Sequence, residues 1–154
     1  MDSKLDMDMD NDGYNVKEFL HSASEEEIAN TIYQYGEERG SRKIASSIKK
    51  YVKIDKMSLN QDLVQAVGDV VPERFLNKTL SRVFQSLRIK INDELHKIYS
   101  SVSDAVDTLN EGGRIAIITF HSIEDRLIKN IFKAFSRGDH LYISDIDDKI
   151  KSCR

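Results

Sequence analysis

Arg114-Ile115-Ala116-Ile117-Ile118-Thr119-Phe120 is a run of β-branched and apolar residues that follows Gly112-Gly113 and leads directly into His121-Ser122. A continuous apolar run of this length suits a strand buried on both faces in a parallel sheet. Such a strand needs neighbours, and no second run of this kind occurs upstream of Gly112. On its C-terminal side the period changes: Ile123, Leu127, Ile128, Ile131, Phe132 and Phe135 recur at helical spacing as far as Gly138. Ser122 with Asp125 supplies the helix-start pair. A further short strand is expected at Leu141 to Ile143.

Upstream of this unit the sequence is helical. Val16 to Leu20 forms a short helix. Ser24 followed by Glu27 is a capping box, so the next helix begins at Glu25 and runs on Ile28, Ile32 and Tyr35 to Gly36. Another spans about 41–52, with Ile44, Ala45 and Ile48 inward. Ser58 and Gln61 pair as a capping box before Leu59, Leu63, Ala66 and Val67, and Asn77 caps the longest helix. Its apolar stripe is Leu80, Val83, Phe84, Leu87, Ile91, Leu95 and Ile98, beside the polar flank Ser81, Gln85, Arg88 and Asn92. The serines at 100, 101 and 103 break it before a last helix through Val106 and Leu109. The expected class is therefore α/β but mostly helical: a helical region joined to one late strand-helix unit, like one edge of a sheet whose other strands lie outside the chain.

Composition excludes several functions. With one cysteine, Cys153, among 154 residues, neither a disulfide framework nor a zinc site built on cysteines forms. No apolar run reaches the roughly 20 residues of a bilayer span, and the acidic N-terminus is unlike a targeting peptide. The expectation is an untargeted protein of a reducing compartment, without a membrane partner. Charge is segregated: residues 1–30 hold nine acidic side chains against Lys4 and Lys17, whereas the eighteen positions 39–56 hold Arg39, Arg42, Lys43, Lys49, Lys50, Lys53 and Lys56 against Asp55 alone. That basic segment either solvates a helix face or meets a phosphate-rich partner.

Individual residues divide between structural and chemical readings. Asp8, Asp10, Asp12 and Gly13 imitate the first half of an EF-hand loop, but position twelve would be Phe19, so an acidic loop is the better account. Glu94 falls on the apolar stripe of the long helix and needs a partner there; it is either a structural ion pair or a stripe edge turned to solvent, or else a functional acid. Arg88 and Asn92, one turn apart, serve either a domain interface or an RNA contact. His121 and Ser122 stand at the carboxyl end of the strand, where ligands collect in open α/β sheets. Ser122 has an additional role as helix N-cap.

Six blocks then carry a resemblance: Leu5-Asp-Met-Asp-Met-Asp10, Ala23-Ser-Glu-Glu-Glu27, Tyr35-Gly-Glu-Glu-Arg39, Arg42-Lys-Ile-Ala45, Phe84-Gln-Ser-Leu-Arg-Ile-Lys-Ile-Asn-Asp-Glu-Leu95 and Gly112-Gly-Arg-Ile-Ala-Ile-Ile-Thr-Phe-His-Ser-Ile-Glu-Asp-Arg126. In this order, over roughly residues 2–138, they resemble the bacterial and organellar 16S ribosomal RNA (cytosine-N4)-methyltransferase family, the MraW/RsmH type. The family usually has Arg where Asp8 stands, and its basic C-terminal block is not recognisable after Gly138.

The resemblance implies S-adenosylmethionine-dependent methylation of a cytosine amino group in small-subunit ribosomal RNA by a Rossmann-like domain carrying a helical insertion. Residues 1–15 would be an acidic loop of the methyltransferase domain, 16–110 the inserted recognition domain, and 111–154 the C-terminal strand-helix part. The donor-binding loop would precede Met1, so no residue here is assigned to the donor, and the isolated chain is expected to be inactive and prone to self-association. Asp10, His121 and Ser122 would line the target side of the site; Arg39, Arg42, Lys43, Lys49, Lys50, Arg88 and Asn92 are the RNA-binding candidates, and no metal is expected. The implied location is the cytoplasm, or the mitochondrial matrix for an organellar homologue. The rival reading is a non-catalytic helical module that binds RNA or another protein.

Overall fold

In a computed structural model, described for residues 3–9 and 14–138, the chain divides into two compact units, Met1–Asn92 and Asp93–Arg154. Asp10, most of the EF-hand-like loop, the expected strand at 141–143 and Cys153 lie outside the described residues.

The first unit is built from five helices: α1 (Val16–Ser22), α2 (Glu25–Gly36), α3 (Ser41–Lys53), α4 (Asn60–Gly68) and α5 (Glu73–Ile91). α2 packs against α5 and α3, and α3 against α4. Their facing sides bury Phe19, Leu20, Ile28, Ile32, Ile44, Ile48, Leu63, Val67, Val83 and Leu87 in one cluster. Each such side chain contributes about 1.5–3 kcal/mol on leaving water. The N-terminal segment joins this core through Leu5. It pairs with the start of α4 by a Lys4–Leu59 bridge, and Val16 N–H donates to Asp6 O, which fixes the head of α1.

Caps explain where the helices begin. Ser24 Oγ accepts the Glu27 N–H at 3.1 Å, as the capping box requires. At α4 the expected Ser58–Gln61 box does not form. Asp62 Oδ2 instead accepts the N–H groups of Ser58 and Leu59, because Leu59 is the N-cap and the third helical position is then Asp62, not Gln61. α5 starts after Pro72, one turn before Asn77, since proline presets the dihedral of a helix entrance.

α2 and α5 cross tightly. A Cβ on Gly36 would sit 2.7 Å from the carbonyl oxygen of Arg82, so only glycine allows the two backbones to approach this closely. The buried residues of α5 are Thr79, Val83, Ser86, Leu87 and Ile89, while Leu80, Phe84 and Ile91 are only partly buried. Small residues at the crossing turn α5 so that Val83 and Leu87 of the apolar stripe are buried while Leu80, Phe84 and Ile91 lie at the edge of the core.

The second unit starts with a break that the periodicity did not announce. The stripe from Leu80 to Ile98 predicts one helix, yet α5 ends at Ile91 and α6 (Glu94–Asp107) begins anew after Asp93, whose φ of +48° is left-handed. The apolar period continues across the break because Leu95, Tyr99 and Val102 are buried again on α6. The serines at 100, 101 and 103 do not interrupt α6, since the first two are exposed and cost a surface helix little. α7 (Ser122–Arg137) packs on α6 through Ile123, Leu127, Ile128 and Ile131.

Between them, residues 114–120 form no strand among the described residues. A strand exists only by pairing, and this segment has no described partner, so its side chains stay outside: Ile118 is 83% and Phe120 91% exposed. Among the described residues no helix is long and apolar enough to cross a membrane.

Candidate functional site

α3 presents its charge on one side because its apolar residues are spent on the core. Ile44, Ala45 and Ile48 face inward, which leaves Arg42, Lys43, Lys50 and Lys53 exposed, with Arg39 just ahead of the helix. Lys49 belongs to the fold instead: its ammonium donates to the carbonyls of Leu20, His21 and Ala23 at 3.2, 3.4 and 2.8 Å, closing the C-terminal end of α1. Arg42 also lines a cavity of about 360 Å³ together with Glu25, Glu26, Ala29 and Asn30, where two carboxylates weaken its pull on an anion.

The carboxylate that organises the entrance to α3 is Glu38. It accepts from Gly40 N–H at 3.0 Å, Arg82 at 3.1 Å and Thr79 at 3.4 Å. Burial pushes its carboxyl up, but the Gly40 N–H and the Arg82 guanidinium outweigh burial, and the balance holds it below the ordinary value. Glu38 therefore ties the α2–α3 turn to α5. Nothing in spacing marks it, because its side-chain partners, Thr79 and Arg82, lie over forty positions away.

Asn92 is 4% exposed. Its Oδ1 accepts the Met9 N–H at 2.8 Å, and its Nδ2 donates to Met7 O and Arg88 O, each at 2.9 Å. One amide thus grips the backbone on both sides of Asp8, in a loop where Met7 is left-handed. Asp10 follows Met9 directly in sequence. Of the two readings for Asn92, the structure places it against protein backbone. Arg88 is half-buried on the same helix.

At the head of α7 the cap is His121, not Ser122. His121 Nδ1 accepts the Glu124 N–H at 3.3 Å, and Glu124 Oε2 accepts the Phe120 N–H at 2.9 Å. The expected Ser122–Asp125 pair is displaced by one residue, and Asp125 binds Lys129 at 2.7 Å. Ser122 is exposed. Glu94, the first residue of α6, brings a second carboxylate to His121 and Glu124. Spacing alone does not bring this cluster together, because the apolar period places Glu94 within one continuous helix, although His121 and Glu124 stand at capping-box spacing.

The sequence profile of the MraW methylase family matches residues 1–147. Two proteins named ribosomal RNA small subunit methyltransferase H illustrate the likeness. That of Wolbachia pipientis wMel is 40% identical over 154 residues, covering 97% of this chain and 48% of the relative. That of Vesicomyosocius okutanii is 42% identical over 138 residues, covering 89% and 45% respectively. The chain thus spans about half the length of the curated relatives it matches. A profile matched over nearly the whole sequence, on the blocks that build α2, α3, α5 and the head of α7, settles the family: the chain belongs to the MraW methylase family.

Proposed function

We propose that this chain is the substrate-side part of an S-adenosylmethionine-dependent methyltransferase that modifies the exocyclic amino group of a cytosine in small-subunit ribosomal RNA. The observation that carries this reading is the 40% identity, over 97% of the chain, to a protein named as a small-subunit ribosomal RNA methyltransferase. In this reading residues 16–110 are a helical insertion, residues 111–154 return to a Rossmann-like sheet, and Ile115 to Phe120 is a strand of that sheet.

The chemistry is in-line transfer of a methyl group from a sulfonium to an amine whose lone pair is delocalised into the pyrimidine ring. Such an amine needs positioning and hydrogen-bond acceptors. Asp10, His121 and Ser122 line the target side, and the Asn92 amide holds the loop that leads to Asp10. Arg39, Arg42, Lys43 and Lys50 meet RNA phosphates, giving affinity without sequence choice. The reaction takes place where small ribosomal subunits are assembled, in the cytoplasm or the mitochondrial matrix.

The test joins the N-terminal half of a curated relative to this chain and expresses the product in cells deprived of their own enzyme. Mass analysis of small-subunit RNA is expected to show one cytosine methyl group restored, and lost again in the Asp10→Ala variant. A folded, donor-binding product that leaves the RNA unmethylated would overturn the proposal. In binding assays with RNA fragments, Lys43→Gln with Lys50→Gln is expected to flatten the salt dependence by about one to two units of log–log slope.

A further inference from the structure

Three ligand-type side chains meet in the second unit, and a helix cap does not account for all of them. One ligand atom each from Glu94, His121 and Glu124 lies within 4.8 Å of the others. His121 is only 13% exposed, and its Nε2 is buried without a hydrogen bond. That nitrogen stands 3.2 Å from Glu124 Oε1, close but misaligned for donation. Glu124 Oε2 is held by the Phe120 N–H, so Oε1 is the oxygen left to face the ring.

These distances are close to those of a metal polyhedron. With zinc–ligand bonds of about 2.0–2.2 Å, neighbouring donors of a tetrahedral site stand roughly 3.3–3.6 Å apart. The His121–Glu124 edge has nearly that span, and a small side-chain movement of Glu94 completes a third corner. Two carboxylates and a neutral imidazole balance a divalent charge, and the imidazole selects a borderline ion over magnesium or calcium, which take oxygen-only sets.

We propose that Glu94, His121 and Glu124 bind one zinc ion, with the fourth position open to water, and that the ion ties the start of α6 to the start of α7. Coordination through Nε2 places the ring proton on Nδ1 and gives up the long bond from the Glu124 N–H; the metal then holds the head of α7 in its place. This proposal does not rest on the methyltransferase reading, because its readout is metal binding by the chain itself.

The experiment is calorimetric titration of the chelator-treated full chain with zinc, magnesium or calcium chloride. Zinc is expected to bind at one equivalent, and magnesium and calcium far more weakly. Glu94→Gln leaves the α7 cap intact and is expected to weaken zinc by at least about tenfold, since even outer-shell changes cost that much. His121→Ala should do the same, with circular dichroism confirming that the variant is folded. Asp125→Asn and Cys153→Ser should match the parent. No zinc binding, magnesium binding as tight as zinc, or unchanged affinity in Glu94→Gln would each overturn the site, as would loss of binding in Cys153→Ser.

Discussion

The helices of residues 16–91 and the segment 114–120 are both rich in large apolar side chains, yet they end in opposite situations. In the first region Ile28, Ile32, Ile44 and Ile48 are almost wholly buried; in the second, Ile118 and Phe120 are almost wholly exposed. The difference lies in how the backbone is satisfied. A helix closes its own hydrogen bonds and needs only a neighbour for one face, which the other helices supply. An extended segment needs partners along both edges and over both faces, and no pairing strand is present among the described residues. Hydrophobicity therefore decides what must be covered, and pairing decides whether it is.

The contrast can be broken most severely inside the helical region. Leu87→Ala, at a fully buried position, is expected to cost about 2–5 kcal/mol in urea denaturation. Gly36→Ala is next: its methyl group would press on the Arg82 carbonyl, and about 1–3 kcal/mol should be lost to forced separation of α2 from α5.

Glu38→Gln sharpens the picture through pH. A carboxyl held below its ordinary value stabilises the fold at pH above that value, 4.5, and the contribution disappears as pH falls through the lowered one. The urea midpoint of the parent should therefore exceed that of Glu38→Gln at neutral pH and converge with it as the pH falls below 4.5 and on through the lowered value. A constant gap across that range would remove Glu38 from the acid response. In the extended segment the smallest stability effect is expected: Ile118→Lys should stay within about 0.5 kcal/mol of the parent, yet reduce the self-association proposed for the isolated chain, as measured by sedimentation at several concentrations.

Local signals were the legible ones. Ser24 with Glu27 fixed the start of α2, and the period of Ile44, Ala45 and Ile48 fixed which side of α3 is basic. The breaks were not legible, because the apolar period runs through Asp93 without a missed beat while the backbone turns left-handed there. The rotation of α5 also escaped pattern reading, since it is dictated by Gly36 on another helix. For the candidate site, His121 was identifiable from its place after an apolar run. Its roles as cap and as neighbour of Glu94 depend on two segments meeting in space. The part played by Lys49 was likewise hidden, because nothing in a lysine reveals whether it faces solvent or three carbonyls.

The Asn92 clamp also sets an order of events during synthesis. Met9 and Asn92 are 83 positions apart. At about 5–20 residues per second, translation from Met9 to Asn92 takes roughly 4–17 s, during which the acidic loop has left the ribosome without its anchor. α1 to α4 can be in place before then, so the loop can close onto a helical scaffold already formed.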